Sequence, residues 1–221
     1  MKVFILCGGM GRRLGSIGET IPKSLIEIKS RPVLDYQIEF FNKNNIPICL
    51  LARHKAELIK ERYQDIEIVI ESEPLGTAGS LLHALKNGHD DGDDYLILVN
   101  GDNIFKDIDI GNMINFAKNK NSSVIGLTKL PSPYGIVILE RDRVIEFAEK
   151  PILNNYINAG ITVLKKSDFL EVFNKRIGSI ELDVYPILAK MGKLHGLEVT
   201  KLWKSIDTLK DIEVAENLDW I

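Results

Sequence analysis

The chain has 221 residues, 45% of them apolar and 27% charged, and a net charge of −3. That length fits one large domain with a substantial buried core, and that charge argues against a general nucleic-acid-binding surface. No stretch approaches the ~20 apolar residues of a membrane span, and the N-terminal apolar run is too short for a secretory signal, so a cytoplasmic protein without a membrane partner is expected.

Residues 2–7 form an apolar run closed by glycines, the pattern of a buried parallel strand. The run leads into Gly8-Gly9-Met10-Gly11-Arg12-Arg13-Leu14, and Ile21-Pro22-Lys23 follows. Glycines let backbone N–H groups approach an anion with no Cβ in the way. Arg12, Arg13 and Lys23 add three cations around the same point. A nucleoside triphosphate, with about four negative charges, suits such a loop. It is not a P-loop, because no Gly-Lys-Ser/Thr follows. A dinucleotide turn stays open. The acid expected after the next strand is missing, but Arg53 there could hold a 2′-phosphate. Arg12 and Arg13 could also be solvated surface charges.

A helix is expected from Pro32 through Leu34, Ile38 and Phe41 to the Asn44-Asn45 stop. A strand over 48–51, a helix over 55–63 and a strand over 66–70 come next. The segment from Glu71 to Gly79 reads as a loop ahead of a helix over 80–87. A strand over 95–99 then ends in Asn100-Gly101-Asp102-Asn103. This alternation implies a parallel sheet with crossover helices, whose ligands bind beyond the carboxyl ends of the strands. Asp102 is placed to hold Mg²⁺ beside phosphates, although these residues are also ordinary turn formers. Cys7 and Cys49 fall in predicted strands and read as reduced core residues.

The second half reads differently. Residues 134–139 and 144–148 pattern as a hairpin, and 156–164 as another strand. Helices are expected near 167–173 and 182–190. Strand-like runs over 196–199 and 201–206 precede a closing helix from Thr208. Asp207 is either a second magnesium carboxylate or a helix N-cap. Glu149-Lys150-Pro151, Asn158-Ala159-Gly160 and Glu181 are of types that hold a phosphate and sugar hydroxyls, though each alone also fits a surface position. There is no repeat or linker. Residues 1–130 are expected to form the nucleotide half, and 131–221 the acceptor half, of one domain sharing one sheet.

Together these motifs resemble the sugar-1-phosphate nucleotidylyltransferases, in particular the mannose- and heptose-1-phosphate guanylyltransferases and glucose-1-phosphate thymidylyltransferases. The motifs follow the family's order over nearly the whole chain. The resemblance implies an α/β, Rossmann-like (GT-A-like) nucleotidyltransferase fold with a mostly parallel mixed sheet flanked by helices. It also implies Mg²⁺-dependent transfer of a nucleotidyl group from an NTP to a sugar 1-phosphate. Carried over by position, Leu6, Gly8, Gly9, Gly11, Arg12, Thr77 and Gly101 would bind the nucleotide. Glu73 and the Leu75-Gly76 backbone would face its base. Arg13 would stabilise the leaving pyrophosphate, Lys23 the α-phosphate, and Asp102 with Asp207 would hold Mg²⁺. Lys150 would bind the sugar phosphate, and Gly135, Glu149, Asn158 and Glu181 would line the sugar.

Arg12 stands where the family has a threonine. The chain ends soon after Asp207, so the C-terminal β-helix of larger bifunctional relatives is expected to be missing. A carboxylate at Glu73 suits the N1–H and 2-amino group of guanine, which favours GTP. CTP, UTP or dTTP, a non-sugar phosphate acceptor, a silent nucleotide-sugar sensor and an NADP-binding protein are the alternatives. A homo-oligomer is compatible with the sequence.

Overall fold

A computed structural model describes residues 1–199 and 202–220. In chain order its elements are β1 (Val3–Leu6), α1 (Ser16–Thr20), β2 (Glu27–Ile28), β3 (Arg31–Pro32), α2 (Val33–Lys43), β4 (Ile48–Ala52), α3 (Ala56–Arg62), β5 (Glu67–Ile70) and α4 (Gly76–Lys86). Then come β6 (Tyr95–Asn100), β7 (Asn103–Lys106), α5 (Ile110–Lys120), β8 (Ser123–Pro131), β9 (Ile136–Glu140), β10 (Arg143–Ala148) and β11 (Ile152–Lys165). The last are α6 (Lys166–Val172), α7 (Tyr185–Lys190), β12 (Leu194–Glu198), β13 (Leu202–Ser205) and α8 (Leu209–Glu216).

Seven strands form the central sheet in the order β12-β8-β11-β6-β1-β4-β5. β5, β4, β1 and β6 run parallel, and β11 runs antiparallel between β6 and β8. The chain moves outward from β1 to β4 and β5, then crosses back to place β6 on the other side of β1. Such a reversal opens a crevice at the strand ends, here between the residues after β1 and those after β6. Gly101 lies against that crevice, and a Cβ on it would sit 2.7 Å from the Leu6 carbonyl oxygen.

The apolar runs are buried on both faces, as a helix-covered parallel sheet requires. Val3, Ile5, Leu50, Ile97 and Val99 pack in one cluster with α2, α3 and α5. Their alternate neighbours Phe4, Leu51, Leu96 and Leu98 pack in a second with α4, α6 and α7. A third cluster, with Leu14, Ile26, Ile104, Ile206 and Trp220, ties the glycine-arginine turn to β7 and the C-terminal helix.

The expected fold class is what the chain adopts, with corrections. α4 begins at Gly76, so the glycine-containing segment read as loop is already helix. Six of these elements were not expected: the short α1, β2 and β3, and then β7, α5 and β8. The helix expected over 182–190 is a π-helical turn, Ile180–Val184, that runs into α7. Lys201, the expected start of a strand, lies outside the described residues, and β13 is described from Leu202.

Candidate active site

The loop after β1 is fixed from beneath. Gly11 adopts a left-handed conformation at φ 60°, and Arg12–Leu14 follow as a single 3-10 turn. Leu14 is buried and anchors the turn, while Gly18 packs so closely on the Gly11 carbonyl that a side chain has no room there. The two arginines between these anchors are exposed.

Three distant segments converge above that turn. Lys23 Nζ bonds both Asp102 Oδ2, beyond β6, and Asp207 Oδ1, beyond β13, the second at 2.6 Å. Arg13 Nη2 reaches the same Asp207 oxygen at 2.6 Å. Ser205 Oγ donates to the other at 2.7 Å. The Lys23 side chain is only 12% exposed, so its attraction to two carboxylates is poorly screened. Partial burial by itself would raise the Asp207 pKa. The hydrogen bonds from Lys23 and Ser205, with the charges of Lys23 and Arg13, outweigh it and hold the pKa below the ordinary value. Asp207 is not the helix N-cap. Thr208 caps α8 in a capping box with Asp211, which leaves the Asp207 carboxylate to the charged cluster.

A cavity of about 310 Å³ opens beside Asp102. Leu6, Gly8 and Gly9 line one side, and Gly76, Thr77 and Glu181 another. Thr77 Oγ1 donates to Glu181 Oε2 at 2.9 Å, and Ser179 Oγ to the same oxygen at 2.7 Å. The π-helical turn is thereby fastened to the start of α4. A larger groove, about 690 Å³, runs past Ile17, Ile21 and Leu58 but gathers no comparable set of charged groups.

Glu73 is not at the cavity beside Asp102. It forms an ion pair with Arg176 and lines a separate groove of about 410 Å³. Glu71, two residues earlier, is 7% exposed and lines both the 310 Å³ cavity and the groove of Glu73. Among the described residues its carboxylate has no hydrogen-bond or ion partner, while its N–H donates to the Ala52 carbonyl. Glu71 is the first residue after β5. The rule that pointed to Asp102 after β6 would have found it. Arg53, after β4, also lines this cavity.

The acceptor-half residues are arranged more loosely. Asn158 Oδ1 accepts from the Gly160 N–H at 2.8 Å, bending β11 where its register on β8 shifts. Asn103 Nδ2 and Trp203 Nε1 both donate to the Ala159 carbonyl, at 3.2 and 2.8 Å, which ties that bend to the residue after Asp102. Gly135 packs against Phe147 and Glu149, where a Cβ would lie 2.7 Å from the Phe147 ring. Lys150 pairs with Glu149 at 3.2 Å, and both are more than half exposed. Among the described residues no hydrogen bond links Gly135, Glu149, Lys150 or Asn158 directly to the Lys23 cluster.

The sequence model of a family described as nucleotidyl transferase matches residues 2–217. The chain belongs to the nucleotidyl transferase family. The chain is 34% identical over 227 residues to the mannose-1-phosphate guanylyltransferase catalytic subunit beta of Danio rerio, an alignment covering 96% of the chain and 62% of that protein. It is 36% identical to the bifunctional protein GlmU of Methanococcus maripaludis, over 98% of the chain and 54% of that protein. It thus spans 62% and 54% of the lengths of these two curated relatives. Among solved structures, HddC from Yersinia pseudotuberculosis superposes with a TM-score of 0.76 at 26% identity, over 97% of both chains. The same protein complexed with GMP-PN gives a TM-score of 0.75 at 25% identity, again over 97% of both.

A second cluster offers metal-ligand types. Cys49, Glu67 and His89 have ligand atoms within 4.8 Å of one another. The Lys2 ammonium is already there, 2.7 Å from Glu67 and 2.9 Å from the His89 carbonyl, so the protein supplies its own cation. No helix among the described residues is long and apolar enough to cross a membrane.

Proposed function

We propose that the chain transfers a nucleotidyl group from an NTP, with GTP favoured, to a sugar 1-phosphate, releasing pyrophosphate. The observation that carries this reading is the convergence of Lys23, Asp102, Asp207 and Arg13 at the mouth of a glycine-lined cavity. A phosphate oxygen of the acceptor attacks the α-phosphorus, a new P–O bond forms, and the bond to the β-phosphate oxygen breaks. The acceptor is already an anion, so no protein nucleophile is needed. Catalysis is positioning and charge neutralisation.

The donor set fits a divalent cation. Two carboxylate oxygens from separate segments converge beside the glycine-lined cavity, the all-oxygen donor set that suits Mg²⁺ when Lys23 turns to a phosphate. Asp102 and Asp207 would hold Mg²⁺, whose charge would offset repulsion between the two substrates' phosphates. Lys23 would contact the α-phosphate and Arg13 the departing pyrophosphate. Gly8, Gly9 and Gly11 would approach the triphosphate through their backbone. In the acceptor half, Lys150 would take the sugar phosphate, with Asn158, Glu149, Gly135 and Glu181 on the sugar. Cys7 and Cys49 are buried and unpaired, which suits a reducing cytoplasm.

Guanine is favoured on two grounds. Several similar proteins are named mannose-1-phosphate guanylyltransferases, and a structural neighbour was solved with GMP-PN. The buried, unpartnered Glu71 carboxylate can accept from both guanine N1–H and the 2-amino group, a role Glu73 is turned away from. One observation favours a second reading: Arg53 lines the same cavity and could meet the 2′-phosphate of NADPH. A thermal-shift panel with Mg²⁺ and each of ATP, CTP, GTP, UTP, dTTP and NADPH separates the two. Saturation at about 100-fold over Kd adds about 2.7 kcal/mol, several degrees at this size. The largest shift is expected with GTP. A shift with NADPH alone would replace the transferase reading.

A further inference from the structure

A polar side chain in the core has no part in the reaction described above. α2 buries Val33, Leu34, Gln37 and Phe41, a helical stripe in which only Gln37 is polar. Gln37 is 1% exposed, and its Oε1 is buried with no hydrogen-bond partner among the described residues. An orphaned buried acceptor is unfavourable, and a methionine of similar length would fill the same space without one.

The other end of the amide accounts for the glutamine. Gln37 Nε2 donates to the Asn100 carbonyl at 2.9 Å and to the Asn103 carbonyl at 2.6 Å. These carbonyls flank Gly101-Asp102, the turn between β6 and β7. Of the two ends of an amide only the NH₂ can meet two acceptors, so the carbonyls fix which way round the group sits. The backbone inside the turn is tied elsewhere. The Gly101 N–H donates to the Leu6 carbonyl at 3.1 Å, and the Asp102 carbonyl accepts from the Ile206 N–H at 2.9 Å. The first bond holds the turn to β1 and the second holds it to the residue before Asp207. Neither spans the turn. Among the described residues Gln37 is the one side chain that bonds both of its ends.

We infer that Gln37 is a positioning residue, which clamps the two ends of the Asp102 turn so that the Asp102 carboxylate meets Asp207 in a geometry that holds a cation. This role rests on the proposed function, in which that pair takes a divalent cation. Gln37 touches neither substrate nor metal and acts only through the turn. Removing such a supporting partner costs roughly 10–100-fold in metal affinity.

Mn²⁺, which takes carboxylate oxygens as Mg²⁺ does, is the probe, with the free ion followed by electron paramagnetic resonance. Lys23 competes for both carboxylates, so the titrations are made on the full chain carrying Lys23→Met. Adding Gln37→Met should weaken Mn²⁺ binding roughly 10–100-fold. Adding Phe41→Leu instead, one turn further along α2 and also fully buried, should lower Tm and leave the affinity unchanged. Unchanged affinity in the Gln37→Met chain overturns the inference and leaves the proposed function standing. An equal loss of affinity in the Phe41→Leu chain does the same, because it reduces Gln37 to a packing role. Absence of Mn²⁺ binding to the Lys23→Met chain itself overturns the cation at Asp102 and Asp207, and the inference with it. Where Gln37→Met fails to fold, Gln37→Asn, whose amide sits one methylene short of the carbonyls, is titrated in its place with the same outcomes deciding.

Discussion

Lys23 holds the site together at the residue scale. Among the described residues it is the one side chain that touches both Asp102 and Asp207, and those carboxylates come from segments more than a hundred residues apart. Removing it leaves the two carboxylates facing each other with Arg13 alone beside Asp207, and under the proposed function takes away the cation for the α-phosphate. Lys23→Ala and Asp102→Ala are each expected to lower kcat by on the order of 10²–10³-fold, as loss of a transition-state charge partner does, with the fold kept. Steady-state kinetics alongside circular dichroism checks this, and near-wild-type turnover in both would sink the assignment. Asp207 supplies a pH prediction. Its pKa is lowered in the fold, so its stabilising contribution is complete above the ordinary carboxylate range and is lost as pH falls through the lowered value. Asp207→Asn should therefore flatten the loss of Tm between about pH 5 and pH 2, and an unchanged acid limb contradicts the pairing. Glu71→Gln, which keeps the shape but exchanges an acceptor for a donor, should raise KM for GTP more than for UTP. Equal changes for both would remove Glu71 from base recognition. Lys23 and Arg13 were legible as cations beside the glycine turn and Asp102 as a carboxylate beyond a central strand, whereas their convergence with Asp207 depends on the fold. Glu71 and Glu73, two residues apart, look equivalent in the sequence; the fold turns Glu73 toward Arg176 and leaves Glu71 lining the cavity.

At the scale of elements, the start of α4 and the segment before the π-helical turn act as one unit. The Gly178 carbonyl accepts from the N–H groups of Ala78 and Gly79, at 2.9 and 3.3 Å, and the Gly178 N–H donates to the Leu75 carbonyl at 2.9 Å. A Cβ on Gly79 would lie 2.5 Å from the Arg176 carbonyl oxygen. Gly79→Ala should cost about 1–3 kcal/mol, the range for overpacking a tight contact, and lower Tm by several degrees. A Tm within one degree of wild type would show that the segment yields. This close approach is why the sequence misled: Gly76 and Gly79 read as loop residues when they are helix residues that admit another backbone. α5 went unread because Asn112, Asn115 and Asn119 dilute its pattern, though Ile110, Met113 and Ala117 hold a helical spacing and are buried. Gly126, Thr128 and Lys129 masked β8 in the same way, and its strand character comes from pairing with β11 and β12. By contrast β1, β4 and β6 were plain, since an apolar run covered by helices on both faces has few alternatives.

On the scale of the whole molecule, the crossing of the chain from β5 back to β6 brings the Gly8-Gly9 turn beside Asp102, and the third apolar cluster brings Asp207 over them. The order of motifs along the sequence carried this architecture. The antiparallel insertion of β11 between β6 and β8 depends on long-range pairing that no local pattern announces. Under the proposed function this assembly joins a nucleotide to a sugar 1-phosphate. The direct test is pyrophosphate release with Mg²⁺, each NTP in turn, and mannose, heptose or glucose 1-phosphate. Release that requires the metal, the nucleotide and the sugar phosphate together, fastest with GTP, is the expected result. Folded protein that releases no pyrophosphate above the enzyme-free rate, with any pairing, would contradict it.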